Sequence, residues 1–171
     1  MDTWFQQIYE DYSDMIFRYL LMQVNDHQQA EDLTQETFIK AYRNKDGFEN
    51  RSSVYTWLYA IARNVSYDEY RKNRPLAFLP DFFARQPEPE KLTVEERAVI
   101  GDEAAALYEE LAGLKQNHKE VINLRYIQEL STAETAEVLG WSESKVKSVL
   151  FRALPALRSQ MEKRGVTHET I

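Results

Sequence analysis

The chain has 171 residues, a formal net charge of -7, a sequence pI near 5.1 and 43% hydrophobic residues. That length supports one medium core or two small ones without covalent staples. The sequence holds no cysteine, which excludes disulfides, thiolate metal sites and cysteine nucleophiles.

The N-terminal stretch MDTWFQQIYEDYSD is acidic and amphipathic, without the basic start and apolar run of a signal peptide. No apolar run approaches the ~20 residues of a membrane span, so a cytoplasmic location is expected. From there apolar residues recur three and four apart over long stretches, with only five glycines to interrupt them, which predicts an all-α fold. The periodicity places helices at about 3–24, 28–45, 53–74, 94–112, 116–128, 132–139 and 143–163. Asp26 and Ser53 stand as N-caps before the second and third. Ser131 with Glu134 forms a capping box, and Ser142 heads the last helix.

Between the third and fourth helices lies RPLAFLPDFFARQPEPEKLT, Arg74 to Thr93, with four of the five prolines. Such clustering cannot continue a helix and reads as a linker, whose phenylalanines suit a segment lying against a partner. The chain therefore divides into a first domain at 1–74, a linker at 75–94, a second domain at 95–164 and a tail at 165–171.

Charge is distributed in blocks. Residues 1–39 hold one basic residue against eight acids, 40–74 hold eight against four, 75–117 hold four against nine, and 142–164 hold six against two. Each domain carries one basic patch, and nucleic acid responds to that local potential rather than to the acidic total.

In the first domain Asp32, Gln35, Glu36 and Ile39 recur at helical spacing, giving an acidic face beside Phe38 that suits a basic protein partner. Downstream, Trp57, Leu58, Ile61 and Val65 form an apolar stripe in which Trp57 reads as core. Arg51, Arg63, Asn64, Arg71 and Lys72 interleave with Tyr55, Tyr59, Tyr67 and Tyr70, a mixture that suits an unpaired strand, since phosphates meet charges and bases stack on rings. In the second domain Ala136, Gly140 and Val146 have the separations of a helix-turn-helix, supported by Leu139 and Val149. Trp141 reads as a packing lid. Ser142, Glu143, Ser144, Lys145, Lys147, Ser148 and Arg152 lie on the second helix of that pair, where side chains enter a major groove. Pro155 is expected to kink or restart this helix. His27, His118 and His168 lack ligand partners at helical spacing, so neither a metal nor another cofactor is expected.

Three segments, AEDLTQETFIKAYRN, FENRSSVYTWLYAIARNVSYDEYRK and HKEVINLRYIQELSTAETAEVLGWSESKVKSVLFRALPALR, resemble the extracytoplasmic-function (ECF) family of RNA polymerase sigma factors, in that family's order. The resemblance implies that Asp32, Gln35, Glu36, Phe38 and Ile39 dock on the clamp helices of the largest subunit of core RNA polymerase. It implies that Asn50, Arg51, Ser52 and Ser53 capture a flipped base of the promoter's -10 element, and that Arg63, Asn64, Tyr67, Arg71 and Lys72 line the melted strand. Ser142 to Arg152 would read the -35 element as duplex DNA, near the polymerase flap. The linker would thread toward the active-site and RNA-exit channels. An anti-sigma factor, often membrane-anchored in this family, would hold the chain in check. Two other readings compete. A stand-alone helix-turn-helix regulator leaves the acidic helix unexplained, and a hydrolase using Asp32 and Glu36 has no accompanying nucleophile, metal set or phosphate loop.

Overall fold

The computed structural model describes residues 2–73 and 92–163. These form eight α-helices and no strands among the described residues: α1 Thr3–Val24, α2 His27–Arg43, α3 Val54–Asn73, α4 Val94–Ile100, α5 Asp102–Leu111, α6 Gln116–Ile122, α7 Thr132–Leu139 and α8 Glu143–Lys163. A 3-10 turn, Lys45–Gly47, follows α2, and a π turn, Asn123–Ile127, follows α6. The proline-rich segment, apart from Leu92 and Thr93, and the tail from residue 164 onward lie outside the described residues.

The expected caps form. Asp26 accepts from the Gln29 N–H at 2.7 Å, and Ser53 Oγ from the Thr56 N–H at 3.3 Å. Ser131 and Glu134 exchange the two bonds of a capping box, and Ser142 Oγ accepts from the Lys145 N–H at 3.1 Å. Each satisfies amide hydrogens that have no partner inside the first helical turn.

Three expectations need correction. The single helix expected over 94–112 is two helices, because Gly101 adopts φ 86, a conformation open to glycine, between a capping-box start at Thr93 and the second start at Asp102. The helix expected over 116–128 is α only to Ile122 and then widens into the π turn, where the Gln128 N–H reaches the Asn123 carbonyl at 2.9 Å. Pro155 does not make α8 restart: the helix runs from Glu143 to Lys163 with the proline inside it. Pro155 faces solvent, and the carbonyl it leaves without a helical donor belongs to exposed Phe151, where water can replace the bond. Ala153, Leu157 and Met161 meanwhile keep the opposite face in the core.

The helix-turn-helix is α7 and α8. Gly140 takes the left-handed conformation at φ 68, and the Trp141 N–H returns to the Ala136 carbonyl at 2.9 Å, closing the end of α7. Ala136, Leu139, Val146 and Val149 are all buried, as their spacing predicts. Around them Leu111, Leu114, Val121, Ile122, Ala153 and Leu157 make one core of the second half.

A second core is shared between the two halves. Ile16, Tyr19, Leu20, Leu58, Tyr59 and Val65 from α1 and α3 belong to the same buried cluster as Tyr108, Leu124, Leu130, Val138 and Leu139. Although the sequence divides at the proline-rich segment, burial does not.

Candidate nucleic-acid and polymerase interfaces

The N-terminal face of α8 is open. Ser142, Glu143, Ser144, Lys145, Lys147, Ser148 and Arg152 are all exposed, while Val146 and Val149 anchor the helix from beneath. The Lys145 ammonium lies 4.3 Å from the centroid of the Trp141 ring, which itself is half-buried against both cores. Trp141 is thus a packing lid whose outer face steadies a lysine at the helix start. Phe151 is 81% exposed, one helical turn beyond Lys147 and Ser148. No role for this ring was expected from the sequence; its place seven residues after Ser144, on the stripe of Ser144, Lys147 and Ser148, was the available signal.

The face of α2 has a different character. Asp32 and Gln35 are exposed, and Ile39 is 50% exposed. Phe38 is buried, edge-on to Phe5 at 6.3 Å and Tyr9 at 5.0 Å between centroids. It forms the floor of a groove of about 530 Å³ lined also by Phe5, Tyr9, Gln35, Ile39, Tyr42 and Arg43. Of the two carboxylates, Glu36 is paired with Lys40 at 3.3 Å, whereas Asp32 accepts from the Gln28 side-chain amide at 3.1 Å. Asp32 keeps the less neutralised charge.

The loop before α3 rests on an aromatic shelf. Phe48 lies between Trp57 and Trp4, at 4.7 and 6.3 Å between ring centroids. Trp57 is therefore half-buried rather than fully core. Asn50 takes φ 54, Arg51 is exposed and meets Glu49 at 2.6 Å, and Ser52 and Ser53 are half-buried. Asparagine tolerates the left-handed conformation better than most residues.

On α3 itself the predicted residues separate. Asn64, Arg71 and Lys72 are exposed, with Arg71 4.0 Å from Asp68. Tyr55, Tyr59, Arg63 and Tyr67, four residues apart, form one stripe that faces the second half of the chain. Tyr55 hydroxyl donates to Glu134 of α7, and Tyr59 hydroxyl to Gln128 after the π turn at 2.8 Å. Arg63 Nε and the Tyr67 hydroxyl donate to the two oxygens of Glu120 on α6, at 2.9 and 2.8 Å. The π turn contributes here: its wider hydrogen-bonding lets Gln128 donate to the Asn123 side chain at 3.0 Å while accepting from Tyr59. The sequence reading missed Glu120, Gln128 and Glu134 as partners of α3, and no local signal marks residues separated by more than 50 positions.

The same seam buries ionisable groups. Burial disfavours charge on Arg63, but the Glu120 carboxylate together with the Tyr67 and Tyr19 phenols outweighs it and holds the guanidinium pKa above its ordinary value. Burial raises the phenols of Tyr19, Tyr59, Tyr67 and Tyr108. Lys119, whose ammonium lies 3.4 Å from the Gln23 carbonyl at the end of α1, is pushed down to about 8 by burial, partly opposed by Glu120. Between about pH 8 and its ordinary 10.5, the unfolded chain holds a proton on this lysine that the folded chain has released, so stability rises with pH through that window. The span corresponds to roughly 3 kcal/mol. The phenols act oppositely: from about pH 10 upward the unfolded chain loses protons first and stability falls. Urea midpoints are therefore expected to climb above pH 8, peak near pH ~9.5–10 and then drop. Lys119→Met should flatten the climb, and an equal climb in that variant would assign it to another group.

Among the described residues no group of histidines and carboxylates is placed to hold a metal ion, and no helix is long and apolar enough to cross a membrane. Residues 8–75 match the family described as Sigma-70 region 2, and residues 111–159 match Sigma-70, region 4. The chain is 36% identical over 168 residues to the ECF RNA polymerase sigma factor SigX of Bacillus subtilis, across 95% of this chain and 86% of that one.

The chain belongs to the ECF family of RNA polymerase sigma factors.

Identity of 36% over 166 residues to the RNA polymerase sigma factor YlaC of the same organism, with 92% of each chain covered, agrees with this. The fold is also that of the sigma factor RpoE from Bartonella quintana, solved in complex with the anti-sigma factor NepR. The TM-score is 0.73 at 24% identity, covering 92% of this chain and 96% of RpoE. Sigma factors are DNA-binding transcription initiation factors, and this one is an alternative sigma factor that directs transcription from selected promoters.

Proposed function

We propose that this sigma factor divides its work among three surfaces. The face of α2 bearing Asp32, Gln35, Glu36 and Ile39, floored by Phe38, docks on the clamp helices of the largest polymerase subunit. The loop Asn50 to Ser53 captures an extruded base of the -10 element, and Arg63, Asn64, Tyr67, Arg71 and Lys72 follow the opened strand. The start of α8, with Ser142, Glu143, Ser144, Lys145, Lys147, Ser148 and Arg152, reads the -35 element as duplex near the flap, with Phe151 available to meet a thymine methyl. Residues 1–74 and 95–164 act as the two working modules, with 75–94 as tether and 165–171 as tail.

The observation that carries this reading is the open, basic start of α8 on a buried anchor, with Lys145 steadied on Trp141. Binding energy from phosphate contacts and a captured base offsets an unpairing cost of a few kcal/mol per extruded base, so recognition is coupled to strand opening without hydrolysis or other catalysis. The fold shared with RpoE, solved with NepR, supports an anti-sigma factor as a further partner. The site of action is the cytoplasm, where polymerase and promoter meet.

Run-off transcription with core polymerase and a promoter library, with and without the chain, tests the proposal. Start sites that depend on the chain are expected. A chain that supports none, yet shifts duplex DNA by itself as a dimer, would be a stand-alone regulator. Lys145→Ala should change which upstream elements are used, at a cost of about 1–3 kcal/mol of discrimination. An unchanged promoter profile would remove Lys145 from the readers.

A further inference from the structure

The strand-facing stripe of α3 already has an occupant. Glu120 is almost fully buried, with 1% of its side chain exposed, and each of its oxygens takes a separate donor: Arg63 Nε at 2.9 Å and the Tyr67 hydroxyl at 2.8 Å. The Arg63 guanidinium also lies over the Tyr67 ring, 4.4 Å from its centroid. A guanidinium and a phenol presented to two oxygens of one anion is the arrangement that a backbone phosphate flanked by a stacked ring would require. At the other end of the stripe, the Tyr55 hydroxyl is held by a second carboxylate, Glu134.

We infer that Glu120 occupies the place of a strand phosphate on α3, so that in the free chain the second half masks the single-strand surface of the first and competes with DNA for it. The inference rests on α3 being the strand-lining helix proposed above, and extends it to the regulation of that surface. Both carboxylates repel an incoming phosphate while they remain seated. Arg63 and Tyr67 become available only when the halves part. The upstream-reading face of α8 stays open throughout, since none of its residues joins the seam. The closed chain therefore keeps its duplex-reading surface and withholds its strand-binding one.

The chain has no cysteine, so two introduced thiols label uniquely. Gln6→Cys and Glu137→Cys, both exposed positions in opposite halves, carry a donor and acceptor for energy transfer in the full-length protein. Strand affinity is read by anisotropy of a fluorescein-labelled single-stranded oligodeoxynucleotide of mixed sequence, about 20 nucleotides long to exceed the ~4–16-nucleotide footprint of small strand-binding domains. Glu120→Gln keeps the shape and removes the charge. It should lower transfer efficiency and tighten strand binding about tenfold or more, and adding Arg63→Ala should abolish the gain. Glu134→Gln, at a half-buried position, should move both readouts the same way by less. Unchanged transfer and unchanged strand affinity in both folded variants would overturn the mask. Halves that separate without any gain in strand affinity would overturn it too, by showing that α3 is not the strand-lining helix. Dependence on the chain in run-off transcription would then still hold for the family function.

Discussion

Replacing Leu58 by alanine is expected to destabilise both halves of the molecule together. Leu58 is fully buried, in a cluster that runs from α1 and α3 into Tyr108, Leu124, Leu130, Val138 and Leu139 of the second half. Truncating such a leucine costs about 2–5 kcal/mol, because the lost transfer energy is joined by the cavity left behind. Against a typical total of about 5–15 kcal/mol, that is a large fraction. The three tryptophans allow the halves to be followed separately: Trp4 and Trp57 lie in the first, Trp141 in the second. In a background where Trp4 and Trp57 are phenylalanine, Leu58→Ala should lower the urea midpoint seen by Trp141 as far as that seen by far-UV circular dichroism. If the Trp141 transition stayed in place while the helical signal of the first half moved, the two halves would be independent folding units. A shared core would then be too weak to couple them.

The second large effect concerns polymerase. Asp32→Ala combined with Glu36→Ala should weaken binding to core polymerase by on the order of a hundredfold, since charge-assisted hydrogen bonds contribute about 1.5–3 kcal/mol each. The structure ranks the two. Glu36 is already paired with Lys40, which also lies 3.5 Å from Asp68, whereas Asp32 accepts from the neutral side-chain amide of Gln28. Asp32→Ala alone should therefore account for most of the loss. Competition between labelled wild-type and variant chains for core polymerase measures this, with the affinity of the full chain for duplex DNA at low salt as the control. An equal loss in both assays would end the division of labour between α2 and α8.

Much of the fold was legible in the sequence because its signals are local. Ser131 and Glu134 are three residues apart, and the capping box they form needs nothing beyond that turn. Gly140 could be placed because only a residue tolerant of φ 68 closes α7 and turns the chain into α8. Local signals also misled where tertiary context outweighed them. Pro155 was expected to kink or restart α8; the helix does not restart, because one lost hydrogen bond on the solvent side is outweighed by the buried face of Ala153, Leu157 and Met161.

The sequence by itself determined the helical class, the helix-turn-helix and the two basic patches, since periodicity, capping and charge are properties of neighbours in the chain. It also carried the motifs that mark the ECF sigma family. Only the tertiary structure decided which charges are free to act. Lys145 and Lys147 are open, but Arg63 and Tyr67 meet a carboxylate more than 50 residues away, on a helix whose position no local pattern encodes. An arginine reads the same in sequence whether it faces water or a buried glutamate. Packing between α3 and α6 makes that choice, because the apolar faces of both halves gain more by closing on one another than by remaining apart.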